Sequence, residues 1–298
     1  MPEAVRFSRY GGPEVLELAE VPRPRAGRGQ IVVAVVAAAL NPGETGIREG
    51  VFAGIWPAHF PEGQGNDFAG RVAETGEGVE GFAVGDEVLG FAPRAAQAEF
   101  VVVGPDVLAP RPAALGWAEA ASIAGAGATA WAGVRAVDPR PGETVVVSAA
   151  AGGVGVIAAQ LAKLRGATVI GTASEGNFAF LHGLGISPVT YGPGLAERLR
   201  AAAPQGVDAY LDTFGGGNVD VAIELDVRPG RINTIADEPA IWAALAESAA
   251  TGEFTIPIDR VYPVAQVRDA YRDPATRHVR GKRVPAFEPL STVEGETR

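Results

Sequence analysis

The sequence predicts an α/β protein that joins a β-rich domain to a doubly wound parallel-sheet domain, and three features carry that expectation. The first is the stretch Thr144 to Thr172, which reads as one strand–turn–helix–strand unit around a glycine-rich bend. The second is the regular alternation of strand-like and helix-like segments after Pro141-Gly142. The third is a series of short, closely spaced strands without helices between them before about Trp117.

Within the central unit, Thr144 to Ser148 is a β-branched run, Val156 to Leu164 is apolar at helical spacing, and Ala167 to Thr172 is a second strand. The bend between the first two, Ala149 to Gly155, has the composition needed to hold a dinucleotide. A diphosphate must touch backbone N–H groups at a helix N-terminus, where unpaired amides and the helix dipole favour an anion. Gly152 and Gly153 lack the Cβ atoms that would hold the phosphates away, Gly155 lets the helix pack on the strand, and Ala151 and Val154 complete the turn. Ala150 stands where the usual Gly-x-Gly-x-x-Gly pattern has its first glycine, so the match is imperfect. With 40 glycines in 298 residues, such a turn can also arise without a ligand; its place between a strand and a helix favours the nucleotide.

Taken in order, Val5 to Phe7 and Glu14 to Leu18 alternate apolar and polar residues around Gly-Gly-Pro and predict an antiparallel hairpin. Ile31 to Leu40 predicts a buried strand that stops at Asn41-Pro42, because proline ends ladder pairing. Phe68 to Thr75, Gly85 to Gly90 and Ala98 to Val103 predict further short strands, together a small barrel or curled sheet. An alanine-rich helical pattern follows from Trp117. Parallel strands are then expected at Thr144 to Ser148, Ala167 to Thr172, Pro188 to Tyr191, Val207 to Thr213 and Arg231 to Ile235, covered by helices on both faces. After a helical pattern at Pro239 to Ala250, strand-like segments at Phe254 to Ile258 and Val284 to Phe287 suggest that the chain ends meet. The polar stretch from Ser291 reads as weakly ordered.

Composition narrows the function. The chain is 47% hydrophobic and 20% charged, with no apolar run near the roughly 20 residues that span a bilayer and no basic region leading into an apolar core at the N-terminus, so a cytoplasmic protein is expected. Zero cysteines exclude thiol nucleophiles, disulfides and cysteine-held metals, and the three histidines lack ligand spacing. A net charge of −10 without a basic block argues against nucleic-acid binding.

Several stretches together carry a family likeness: Leu40 to Gly50, Gly65 to Gly70, Gly85 to Val88, Ala124 to Trp131, Ala149 to Gly155, Leu211 to Gly216, Arg228 to Arg231 and Arg280-Gly281-Lys282. In this order they resemble the zinc-independent quinone oxidoreductases of the medium-chain dehydrogenase/reductase superfamily. The resemblance implies a GroES-like catalytic domain from residues 1–118 and 259–298, and a Rossmann NADP-binding domain from residues 119–258. It implies hydride delivery from NADPH to a quinone or α,β-unsaturated ketone without zinc, since Gly65-Asn66-Asp67 stands where zinc-dependent relatives have Gly-His-Glu.

By the same resemblance Asn41 and Thr129 lie at the nicotinamide end, and Phe214, Thr234, Ile235 and Ala236 line its ring. The plainer readings are that Asn41 caps the loop before Pro42 and that Thr129 bonds to its own helical turn. Asp212 reads as a residue holding the glycine loop after it. An NAD-binding acid, expected about 20 residues past the glycines, is replaced by Ala173, while Ser174 and Asn177 can donate to a 2′-phosphate and Tyr191 matches a family tyrosine near the adenosine. NADPH is therefore preferred over NADH, although Glu175 is adjacent and the family's frequent basic residue in this loop is missing. A family tyrosine is replaced by Gly46, so no general acid emerges and solvent is left to protonate the product. Phe52, Ile55, Trp56 and Phe60 read equally as an apolar wall for a flat substrate or as ordinary core.

Between Ile235 and Pro239 the chain lacks a segment that in the family carries a sixth parallel strand. One sheet edge is then expected near Arg231 to Ile235, and any homodimer would have an altered interface. Two other functions fit the same residues: an enoyl-thioester reductase of the same superfamily, or a non-catalytic NADPH-binding sensor.

Overall fold

The computed structural model describes residues 1–235, 246–247, 249–272 and 280–290. The chain opens with β1 (Glu3–Phe7) and β2 (Glu17–Glu20), paired antiparallel with Glu3 opposite Glu20. The connection is wider than a tight turn, because Pro13–Val15 forms a short 3-10 helix. Next comes β3 (Ile31–Ala39), buried at every position except Ala34. Its uninterrupted apolar run follows from pairing along both edges with both faces covered.

Asn41 does not merely end a loop. It caps α1 (Pro42–Arg48), with Pro42 at the first helical position, where its missing N–H costs nothing. The β-rich part continues through β4 (Glu62–Gly63), β5 (Asp67–Thr75), β6 (Glu87–Phe91), β7 (Phe100–Val103) and β8 (Leu108–Pro110). Opposite a register shift in β3, Gly70 of β5 lies so close that a Cβ there would stand 2.2 Å from the Ala34 carbonyl oxygen. Its lack of a side chain permits the bend.

The alanine-rich segment forms α2 (Trp117–Ala121), a π-helical turn at Ile123–Gly127 and α3 (Ala128–Val137). Beyond it come β9 (Thr144–Val147), α4 (Gly155–Leu164), β10 (Thr168–Ala173), α5 (Phe178–Gly183), β11 (Ser187–Thr190), α6 (Leu195–Ala202), β12 (Ala209–Asp212), α7 (Asn218–Glu224) and β13 (Ile232–Thr234). All five strands are parallel in the order β11-β10-β9-β12-β13, a Rossmann-type sheet. Val145, Val146 and Val147 of β9 are fully buried at its centre. Among the described residues β13 pairs only with β12. The helical pattern from Pro239, a sixth strand between Ala236 and Ala250, and the tail from Ser291 lie wholly or largely outside the described residues.

The chain then returns to the first sheet. Strands β14 (Ile258–Pro263) and β15 (Lys282–Ala286) are parallel to each other, and β15 joins β3 through Ala286 opposite Ala37. A helix at Val267–Arg272 lies between them. The result is a curled sheet ordered β14-β15-β3-β5-β6-β8, with β7 on β3. The strand expected at Phe254 to Ile258 is corrected: only Ile258 belongs to one. Phe254 and Ile256 are buried, and Gln160 of α4 takes the hydrogen bonds a ladder would have made, accepting from Thr255 N at 2.9 Å and donating to its carbonyl oxygen at 3.0 Å. No helix among the described residues is long and apolar enough to cross a membrane.

Just before β15, Gly281 adopts φ +86° and a Cβ there would stand 1.8 Å from the Pro257 carbonyl oxygen. Gly281→Ala is therefore expected to lower stability by on the order of 2–4 kcal/mol. Gly183→Ala, at an open position in α5, should change it by less than about 1 kcal/mol. Thermal unfolding compares the two; equal melting temperatures would contradict the enforced close approach.

Candidate cofactor cleft

The glycine bend sits at the carboxyl end of β9, where the sheet order turns from β10 on one side to β12 on the other. Open parallel sheets bind ligands at such a switch point. Ala149 takes a left-handed φ of +45° and its N–H donates to Thr172 Oγ1, while Ala150 N donates to the Thr172 carbonyl oxygen at 2.9 Å. Ala150, the residue that breaks the glycine pattern, is fully buried. The space for its methyl comes from Gly171 of β10, where a Cβ would stand 2.5 Å from Ala150 Cβ. The missing glycine is thus supplied by the neighbouring strand.

The other glycines serve distinct ends. At Gly155 a Cβ would stand 2.3 Å from the Ala149 carbonyl oxygen, so this residue lets α4 start against the bend. At Gly152 the nearest atom is the same oxygen at 3.1 Å, and that face is open. The reading of Gly153 changes: a Cβ there would meet Lys282 Cδ at 2.8 Å, so its bareness makes room for a lysine stem. Gly281 N donates to the Ala151 carbonyl oxygen at 3.0 Å, and Gly152 and Gly281 form a parallel bridge. Among the described residues Val154 N and Gly155 N have no acceptor, as expected at the first turn of α4. Bare main chain with unpaired donors at a helix start fits a diphosphate.

Lys282 carries the contact onward to Asn41. Its Nζ donates to Asn41 Oδ1 at 2.6 Å and to the Leu40 carbonyl oxygen at 2.7 Å. Asn41 Nδ2 donates to Asp67 Oδ2 at 2.9 Å and to Glu44 Oε1 at 3.1 Å, and Asn41 N donates to Glu44 Oε2. Tyr271 donates to Glu44 Oε2 at 2.7 Å, and its hydroxyl oxygen accepts from Gln64 and Gln97. Glu44, Asp67 and Lys282 are all buried. Two carboxylates and one ammonium therefore surround the Asn41 amide and fix its orientation. Burial pushes the Glu44 carboxyl up to about 7, with the Asp67 charge adding to the rise while the Tyr271 hydrogen bond opposes it. Burial also lowers Lys282 and raises Tyr271 well above its ordinary value.

Thr129 lies half-buried in the first turn of α3, just past the π-helical turn whose Gly125 packs on Asp67; a Cβ at Gly125 would stand 2.4 Å from Asp67 Oδ2. On the nucleotide sheet, Asp212 holds the loop after β12. Its Oδ1 accepts from Ser148 Oγ at 2.8 Å, from Phe214 N at 3.0 Å and from Gly215 N at 2.9 Å. Phe214 itself is 78% exposed, at the same carboxyl edge as Thr234, the last residue of β13, and Ile235, which follows it. Ala236 lies outside the described residues. Ser174 follows β10 and Tyr191 follows β11, brought side by side by the Ala173–Thr190 pairing. Asn177 is buried, and its Oδ1 accepts from Arg280 Nε.

Ile55, Trp56 and Phe60 are exposed rather than core, and Phe52 is half-buried, stacked edge-on with Trp56. At Gly46 a Cβ would meet the Phe52 ring at 2.6 Å, so Phe52 covers the face that a larger residue at 46 would occupy. Sequence reasoning missed Glu44, Lys282, Tyr271 and Arg280. One signal was available: the chain has only two lysines, and Lys282 lies inside a family stretch. Among the described residues no group of three or more His, Cys, Asp or Glu side chains forms a metal-holding cluster.

Comparison with known proteins agrees with this architecture. Residues 27–137 match the alcohol dehydrogenase GroES-like domain, and residues 153–243 match the zinc-binding dehydrogenase domain. A chloroplast envelope quinone oxidoreductase homolog of Arabidopsis thaliana is 28% identical over 94% of this chain and 96% of its own length. The solved quinone oxidoreductase from Coxiella burnetii is 30% identical, with a TM-score of 0.85 over 96% of this chain and 99% of that one. The mycobacterial Rv1454c, solved in complex with NADPH, is 26% identical, with a TM-score of 0.83 over 95% of this chain and 99% of its own. The chain belongs to the medium-chain dehydrogenase/reductase superfamily, in its quinone oxidoreductase family. It is accordingly an oxidoreductase of that superfamily.

The raised Glu44 carboxyl gives a pH signature. The folded protein holds this proton more tightly than the unfolded chain, so the associated stability is present below about pH 4.5 and is lost as pH rises through about 7. Wild-type stability relative to Glu44→Gln is expected to fall by on the order of 1–3 kcal/mol between those limits and to level off above them. Denaturant unfolding across that range measures it, and a pH-independent difference would contradict the assignment.

Proposed function

We propose that this chain is an NADPH-dependent reductase that delivers hydride to a quinone or an α,β-unsaturated ketone without a metal, acting in the cytoplasm. One observation carries the reading. At the switch point of a five-stranded parallel sheet, the bend Ala151, Gly152, Gly153, Val154, Gly155 presents bare main chain and unpaired N–H groups to a diphosphate. The NADPH complex of the mycobacterial relative supports it. Residues 1–118 and 259–298 form the catalytic part in this reading, and residues 119–258 hold the nucleotide.

Ser174, Asn177 and Tyr191 face the adenosine end, beyond β10 and β11. Asn41 and Thr129 approach the nicotinamide end, with Phe214, Thr234, Ile235 and Ala236 around the ring. Bound NADPH supplies the hydride, and the protein's part is to orient the reactants and keep the acceptor against the donor carbon. The Lys282–Asn41–Asp67–Glu44 network holds the Asn41 amide in one orientation before any ligand arrives, which lowers the ordering cost of the complex. The exposed Trp56 and Phe60 give a flat acceptor an apolar surface at the same end of the molecule as α1. Hydride plus one solvent proton reduces an enone; a quinone takes hydride and a solvent proton to give the hydroquinone.

The test follows NADPH absorbance with a panel of quinones, enones and enoyl thioesters. Oxidation that depends on quinone or enone is expected, with Asn41→Ala lowering kcat/KM by about tenfold or more. Preference for thioesters would assign the enoyl-thioester reaction instead, and NADPH binding without oxidation by any acceptor would assign a sensor.

A further inference from the structure

We propose that Arg280 recognises the 2′-phosphate of the adenosine ribose, so that the segment entering β15 closes the nucleotide site from outside the Rossmann sheet. The inference rests on the NADPH reading above and adds the group that distinguishes the phosphorylated cofactor from its unphosphorylated form.

The local sequence after β10 is Ser174-Glu175-Gly176-Asn177, which contains no cation to meet a phosphate. Folding brings one from more than 100 residues away. Arg280 Nε donates to Asn177 Oδ1 at 2.8 Å, and Arg280 Nη2 donates to the Gly176 carbonyl oxygen at 2.6 Å. These two bonds fix the plane of the guanidinium before a ligand arrives. Nη1 has no acceptor among the described residues. Arg280, Ser174, Gly176, Asn177 and Asp259 line one open cavity of about 520 Å³.

Position supports the same ligand. Gly281, the next residue, bridges to Gly152 in the bend that fits a diphosphate. The bonds from Arg280 to residues 176 and 177 place its guanidinium on the β10 side of that bend, the side on which a Rossmann sheet receives the adenosine ribose. Ser174 Oγ accepts weakly from Asn177 Nδ2 at 3.4 Å, which leaves its O–H free to donate. Two acids are close. Asp259 is engaged with Arg283, 3.0 Å from Nε to Oδ2, and its charge is offset there; Glu175 is exposed beside Ser174. A fixed guanidinium with a spare donor and a neighbouring hydroxyl form a donor set suited to a phosphate monoester, and the acid that lines the cavity, Asp259, is already paired with Arg283.

The experiment measures Kd for NADPH, NADH, 2′,5′-ADP and 5′-AMP with wild type, Arg280→Gln and Arg280→Lys, after circular dichroism and melting temperature show that the variants fold. Arg280→Gln is expected to weaken NADPH and 2′,5′-ADP by roughly 30-fold or more, while NADH and 5′-AMP change by less than about threefold. Arg280→Lys should fall between. Unchanged NADPH binding in Arg280→Gln, or equal losses for NADPH and NADH, would overturn the role of Arg280 while leaving the nucleotide site standing. Failure of the wild type to bind either dinucleotide would overturn the underlying reading as well.

Discussion

Main-chain contact between Gly281 and the Ala149–Gly155 bend determines where the two sheets meet, and the rest of the cleft is built out from that seam. The contact is possible only because three backbones approach without side chains between them. Gly281 packs on the Pro257 carbonyl and bonds to Ala151, while Gly153 leaves room for the Lys282 stem. A Cβ at either glycine would push β15 away from the nucleotide bend. With β15 would go Lys282, whose ammonium orients Asn41, and Arg280, whose guanidinium lies against the end of β10. One short segment thus touches both the Asn41 network and the loop after β10.

The seam also explains the burial of so much charge. Glu44 and Asp67 are acids in the interior, which is unfavourable unless each is bonded and compensated. Asn41 serves both carboxylates, Tyr271 serves Glu44, and Lys282 supplies the opposite charge. Such a cluster is a poor source of stability in comparison with an apolar core of the same volume. Its value lies in direction: the Asn41 amide has its oxygen turned to the ammonium and its nitrogen to the two acids. On the opposite side of the cleft, Asp212 similarly collects the N–H groups of the loop after β12 and leaves Phe214 outside.

The fold was largely legible in the residues because its signals are local. Periodicity located the five parallel strands to within a residue or two, and the glycine bend was visible between a strand and a helix. The misread segment, Phe254 to Ile258, is instructive: an apolar run with β-branched residues resembles a strand, but the side chain of Gln160 replaces the partner strand, and nothing near residue 254 announces it. Ala150 posed the converse problem, since the space that excuses it is provided by Gly171 on β10. The candidate site was legible where residues act through their own neighbours, as Asp212 does. It was hidden where function requires partners from distant parts of the chain: Glu44 with Tyr271, Asn41 with Lys282, Asn177 with Arg280.

Amide hydrogen exchange with and without NADPH tests the seam most directly. Ligand-induced protection should appear together in the segments containing Ala151–Gly155, Ser174–Asn177 and Arg280–Lys282. Protection confined to the Rossmann segments, with Arg280–Lys282 unchanged, would contradict the account.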